Sequence, residues 1–191
     1  TSLQEAFIEV RQQTEKICAN LEIEDLVVQP AAYVSPPKWH LAHTSWFFDC
    51  FVLAPLQLAQ TSKSPQYHFL FNSYYKSQGA HWQQSNRGQL SRPTVKEIML
   101  YRQQITEAIV DLFESHALSE QQLEIIATGI QHEQQHQELF TREAPQAGMI
   151  STQRVQRLGY CHQGIIAGSM AMLLVQLVQI AHFHQDQREG L

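Results

Sequence analysis

Two pairs of histidines have spacings that could hold a metal ion. His132 and His136 are four residues apart in His132-Glu133-Gln134-Gln135-His136. On a helix that spacing puts both side chains on one face, with Cβ atoms about 5–6 Å apart. Two imidazoles so placed can reach one ion through bonds of about 2.0–2.1 Å. The helix fixes their separation before the ion arrives, which lowers the ordering cost of binding. His40 and His43 form the second pair, in Trp39-His40-Leu41-Ala42-His43-Thr44. Bulky apolar residues follow His43, so its face is expected to point inward. One ligand from this segment and two from the other would make a three-histidine face with the remaining coordination positions open. Open positions suit a catalytic metal, whereas a structural zinc site is closed. Solvated surface histidines are the plain alternative for every one of these residues.

The same five residues match the HExxH zinc-protease motif, in which the glutamate is a general base. Here the interior pair is Gln134-Gln135, Gln137-Glu138 follow, and no HxxGxxH continuation is present. His162 is a downstream ligand candidate only across a Pro145/Gly148 break. The protease is therefore the weaker reading.

Helices must position these side chains. Leu3, Phe7, Ile8, Val10, Ile17 and Leu21 form one apolar stripe. A second helix is expected to open with Ser35 as N-cap and Pro36 in its first turn, and to end at Pro55. Residues 57–93 read as a long connection with a short helical piece at FLFNSYY. Thr94-Val-Lys-Glu97 is a capping box, and Ile98, Tyr101, Ile105, Ile109 and Phe113 continue its helix. Ser119-Glu-Gln-Gln122 is another, opening a helix with Leu123, Ile126 and Ile130 that carries HEQQHQELF. The link between these two helices is very short, so they are expected to pack antiparallel. The fold class is an all-α four-helix bundle with one extra helix in the stretch 164–187.

Composition narrows the function classes. The chain has 191 residues, 43% of them hydrophobic and 16% charged, enough apolar material for a core. Thirteen Lys+Arg against eighteen Asp+Glu give a net charge of −5, which argues against a phosphate-backbone partner. Cys18, Cys50 and Cys161 are too few and too scattered for a disulfide framework or a cysteine zinc site. Ten histidines are the outlier. Gln176, Gln179 and His182 interrupt the apolar stretch 165–183, which leaves it short of the ~20 apolar residues of a membrane span. No targeting signal is visible, so the expected compartment is the cytoplasm.

Four words in order carry a family resemblance: Ser35-Pro-Pro-Lys-Trp-His-Leu-Ala-His-Thr-Ser-Trp-Phe-Phe48, Leu70-Phe-Asn-Ser-Tyr-Tyr75, Arg87-Gly-Gln-Leu-Ser-Arg-Pro-Thr94 and His132-Glu-Gln-Gln-His-Gln-Glu-Leu139. Over about residues 1–140 the chain resembles the N-terminal DinB-like domain of the sulfoxide synthases of ergothioneine biosynthesis. The resemblance implies a mononuclear non-heme iron(II) held by His43, His132 and His136, with His40 not a ligand. Zinc or nickel would suit the same donors in a purified sample. Glu138 completes the HxE part of the motif and is assigned to orienting a ligand imidazole. Arg87 and Arg92 are the candidates for holding a substrate carboxylate.

The implied partners are O2, a cysteine or γ-glutamylcysteine thiol, and N-α-trimethylhistidine. Relatives usually carry basic residues after the YYxxxG stretch, where this chain has Gly79-Ala-His-Trp-Gln-Gln84. They also continue into a large domain resembling formylglycine-generating enzyme, which residues 146–191 do not resemble. The expected organisation is a metal-binding bundle over 1–145 and a divergent helical extension over 146–191, whose apolar face packs on the core or forms a homodimer contact. Two alternatives stay open: a stand-alone DinB-like metal-dependent thiol transferase or hydrolase, and a non-enzymatic helical interaction module.

Overall fold

The computed structural model describes residues 2–60, 64–73, 75, 78–115 and 118–143. Among them are helices and turns and no strand. The predicted boundary at 145/146, the C-terminal helix and its packing lie outside the described residues.

Four long helices form the bundle: α1 (Leu3–Cys18), α2 (Pro37–Phe48), α4 (Val95–Glu114) and α5 (Glu120–Glu143), with the short α3 (Gln66–Phe71) in the connection after α2. α2 packs against both α4 and α5, and α1 packs against α5 and α4. Three capping boxes start helices, at Ser2/Glu5, Thr94/Glu97 and Ser119/Gln122. Each satisfies amide donors that a helix start leaves without intrahelical partners. The last two fall where the sequence places them.

α2 is the central element. Every residue from Pro37 to Phe48 is buried. A helix surrounded on all sides has no solvent face, so its polar residues His40, His43, Thr44 and Ser45 are interior by position. Its start differs from the expectation by one residue. Pro36 is the N-cap, and the Ser35 hydroxyl instead accepts from Arg87 Nη1 at 2.8 Å. Its end differs too. The α-helix stops at Phe48, and a π turn (Asp49–Leu53) and a 3-10 turn (Ala54–Leu56) carry the path past Pro55 to Gln57, at φ 61°. Asp49 is fully buried there, accepting from Tyr101 Oη at 2.8 Å and the Gln60 amide at 2.7 Å.

The core joins Phe7 and Val10 of α1, Trp46 to Phe48 of α2, Ile98, Ile105 and Ile109 of α4, and Ile126 and Ile130 of α5. Two expected core positions shift by one or two residues. Leu123 is exposed while Ile125 is buried, and Leu112 is more deeply buried than Phe113. One glycine decides how closely α2 and α5 approach. A Cβ on Gly129 would lie 2.4 Å from Phe48 Cε1 and 3.0 Å from Phe47 Cε1. Both phenylalanines are fully buried, so neither ring has room to retreat.

Candidate metal centre

The close approach of α2 and α5 brings three predicted histidines together. His43 Nε2 lies 3.2 Å from His132 Nε2, which lies 3.0 Å from His136 Nε2. One nitrogen from each ring lies within 4.8 Å of the other two. A shared ion at about 2.0–2.1 Å from each nitrogen sets neighbouring donors ~2.8–3.4 Å apart at octahedral or tetrahedral angles. The two short edges fall in that range. His43 and His132 are buried and His136 is partly buried.

Protons fix what these atoms can do. His43 Nδ1 is 2.6 Å from the Phe71 carbonyl, which only accepts. Its proton is therefore on Nδ1, and the neutral ring points a bare lone pair from Nε2 at His132. His132 Nδ1 is buried and has no hydrogen-bond partner among the described residues. Whichever tautomer His132 adopts, protein groups leave one of its nitrogens unsatisfied. Three converging imidazole nitrogens and an orphaned buried atom fit a cation better than they fit a closed hydrogen-bond network.

Burial keeps the rings neutral. Desolvation pushes His132 down to about 4, with the Glu133 charge opposing it. Desolvation, then the neighbouring His132, holds His43 well below the usual histidine range. His136 is lowered by desolvation and by His132, His43, His40 and Arg87. Neutral imidazole is the form that coordinates a metal.

A second layer of side chains holds the ligands. Trp39 stacks on His43 with ring centroids 4.4 Å apart and planes at 14°, and its Nε1 donates to the Leu70 carbonyl at 3.0 Å. Arg87 lies over Trp39 with its guanidinium carbon 3.3 Å from a ring centroid, and it donates to Ser35 and Ser73 hydroxyls. His40 Nδ1 is 2.7 Å from His136 Nδ1. His40 is lowered to about 3 by desolvation first and the Arg87 charge second, with the Ser35 backbone opposing them. His40 and His136 line a small cavity between α1, α2 and α5, with Cys18, Thr44 and Phe140.

The other predicted residues divide. Arg87 is buried beside the triad. Arg92 is exposed in the segment before α4 and donates to the Ser91 carbonyl at 3.0 Å. Glu138 is exposed, which corrects its assignment to orienting a ligand imidazole. The reason is helical geometry: two residues beyond His136 is about 200° around the axis. The groups that do touch the triad rings are the Phe71 carbonyl, at His43 Nδ1, and His40, at His136 Nδ1. Nothing in the sequence marks the carbonyl. His40 carried a signal, since it precedes His43 by one turn of the same helix.

Glu133 corrects the protease reading. Its carboxylate is fully buried, accepting from Arg11 Nη1 at 2.9 Å, Arg102 Nη2 at 2.5 Å and Thr14 Oγ1 at 2.6 Å. Burial alone would raise its pKa, but Arg102 and Arg11 outweigh that and hold it at about 2. With both oxygens engaged by Arg11, Arg102 and Thr14, this carboxylate is placed as a counter-ion and not as a base facing the triad.

The four-helix bundle carries, on α2 and α5, a three-histidine face that could hold a metal ion. The family model described as the DinB superfamily matches residues 6–140, and the chain belongs to that superfamily. No curated protein matches the chain.

Proposed function

We propose that His43, His132 and His136 hold one iron(II) ion, and that the bundle is the metal-binding part of an O2-dependent sulfoxide synthase. Its substrates would be a cysteine or γ-glutamylcysteine thiol and N-α-trimethylhistidine. The supporting observation is the convergence of the three Nε2 atoms, from two helices, with the His43 tautomer fixed by a carbonyl. Iron at this position would supply an electrophile that favours thiolate over thiol and a site for O2.

The chain's own residues have separate tasks in this reading. The three imidazoles would hold the ion from one side, leaving its other positions for reactants. Trp39 keeps the His43 ring in its plane by stacking. Arg87 places a fixed positive charge beside the triad, anchored by Ser35, Ser73 and Trp39, and so favours an anionic substrate. Arg92, exposed and turned to its own backbone, has no part in it.

The test is an assay of iron(II)-loaded protein under O2 with γ-glutamylcysteine and trimethylhistidine. Formation of a C–S bonded sulfoxide supports the reading. No product from folded, iron-loaded chain refutes independent catalysis by this bundle and leaves it a metal-binding domain.

A further inference from the structure

His136 is the ligand whose proton position the fold leaves to another histidine. Its Nε2 lies 3.0 Å from His132 Nε2, and its Nδ1 lies 2.7 Å from His40 Nδ1. Two nitrogens at that distance share one proton, so one ring donates and the other accepts. If His40 donated, the single proton of a neutral His136 would have to sit on Nε2. That atom faces the triad, and no lone pair would remain there for a metal. If His136 donates, its Nε2 is bare and aimed at His132.

We propose that His40 is the positioning residue for His136: its Nδ1 accepts the Nδ1–H of His136 and thereby fixes the Nε2 lone pair of His136 on the metal position. The inference rests on the three-histidine metal reading and deepens it. α2 then supplies one ligand, His43, and, one turn earlier, the outer partner of another. The Phe71 carbonyl does the same for His43. The two partners differ in kind. A carbonyl can only accept, whereas an imidazole accepts only in one tautomer. Outer partners of this sort typically change metal affinity by about 10–100-fold when removed.

Two measurements on the full chain test this. The first is 15N NMR of the histidine rings in metal-free protein, with the His136 signals assigned from their loss in His136→Gln. A protonated Nδ1 and a bare Nε2 on His136 support the proposal; the reverse tautomer overturns it. The second is a Co(II) titration of wild type, His40→Phe and His40→Asn, with far-UV circular dichroism as the folding control. The Asn side-chain oxygen stands at the same bond count from Cα as Nδ1 and keeps an acceptor there.

The expected result is one Co(II) per chain throughout, an affinity about 10–100-fold weaker in His40→Phe, and recovery of most of it in His40→Asn. Unchanged affinity in His40→Phe, or equal losses in both variants, overturns the proposal. Absence of Co(II) binding by wild type sinks the metal reading instead, and the ring tautomer then decides the role of His40 alone. The tautomer also decides it if His40→Phe does not fold.

Discussion

His132 and Glu133 are consecutive residues on α5, both buried, and they serve opposite ends. The glutamate points into a cluster in which both of its oxygens meet opposite charge. Arg11 and Arg102 bind its two oxygens, further guanidinium donors reach Thr106, Ser45, Thr44 and two backbone carbonyls, and Arg102 Nε has only an ion pair to the half-exposed Glu15 at 3.5 Å. The histidine points about 100° away into a cluster that does not close. There the nitrogens of three rings face one another, and His132 Nδ1 is left without a partner among the described residues. Burial alone therefore says little about function. What distinguishes a site from a support is whether the buried polar atoms can satisfy one another.

This contrast orders the expected effects of substitution. Glu133→Ala leaves two buried guanidinium groups without their carboxylate, so a loss of about 3–5 kcal/mol is expected in denaturant unfolding. A loss under about 1 kcal/mol would mean that the cluster is not the support described, since exposed pairs contribute on that smaller scale. Gly129→Ala comes next. Its added methyl meets Phe48 and Phe47, which predicts a loss of about 1–3 kcal/mol together with weakened metal binding, as α2 is pushed from α5. Weakened stability with unchanged metal affinity would show that this approach does not set the His43–His132 distance.

Acid should separate the two clusters without any substitution. The histidines are lowered below their unfolded value, so the unfolded chain binds protons first as pH falls through 6.5. Stability of the metal-free protein should fall from there toward pH 4 and on toward 3. Glu133 is also lowered, from 4.5 to about 2, so its contribution is full above 4.5 and lost only as pH drops toward 2. Melting temperatures recorded against pH, with and without bound metal, check this. Metal should protect the upper window and leave the lower one in place. The smallest effect belongs to Glu138→Ala, which should change stability by no more than about 0.5 kcal/mol and leave metal affinity intact.

Much of this was legible beforehand, for identifiable reasons. Helix starts at Thr94 and Ser119 follow from local capping chemistry that needs no tertiary context. The His132/His136 pairing follows from helical periodicity, and His43 from its place in a segment apolar on all sides. Glu138 misled because a motif records spacing along the chain and not direction around the helix. The Arg11–Glu133–Arg102 cluster was missed although a signal existed. Arg11 follows Phe7 and precedes Ile17, Arg102 sits between Ile98 and Ile105, and Glu133 continues Ile126 and Ile130. Two bases and an acid standing in the apolar stripes of three helices are expected to find one another. The stacking of Arg87 on Trp39 and the carbonyl behind His43 depend on how the long connection folds back, which no short-range pattern records.

The most direct test is anaerobic metal titration of the full chain with iron(II), followed by metal analysis after desalting. One ion per chain is expected for wild type, with loss of stoichiometric binding in His43→Ala, His132→Ala and His136→Ala despite retained helicity. Folded wild-type protein that binds no ion, or alanine variants that each retain it, would contradict the three-histidine site.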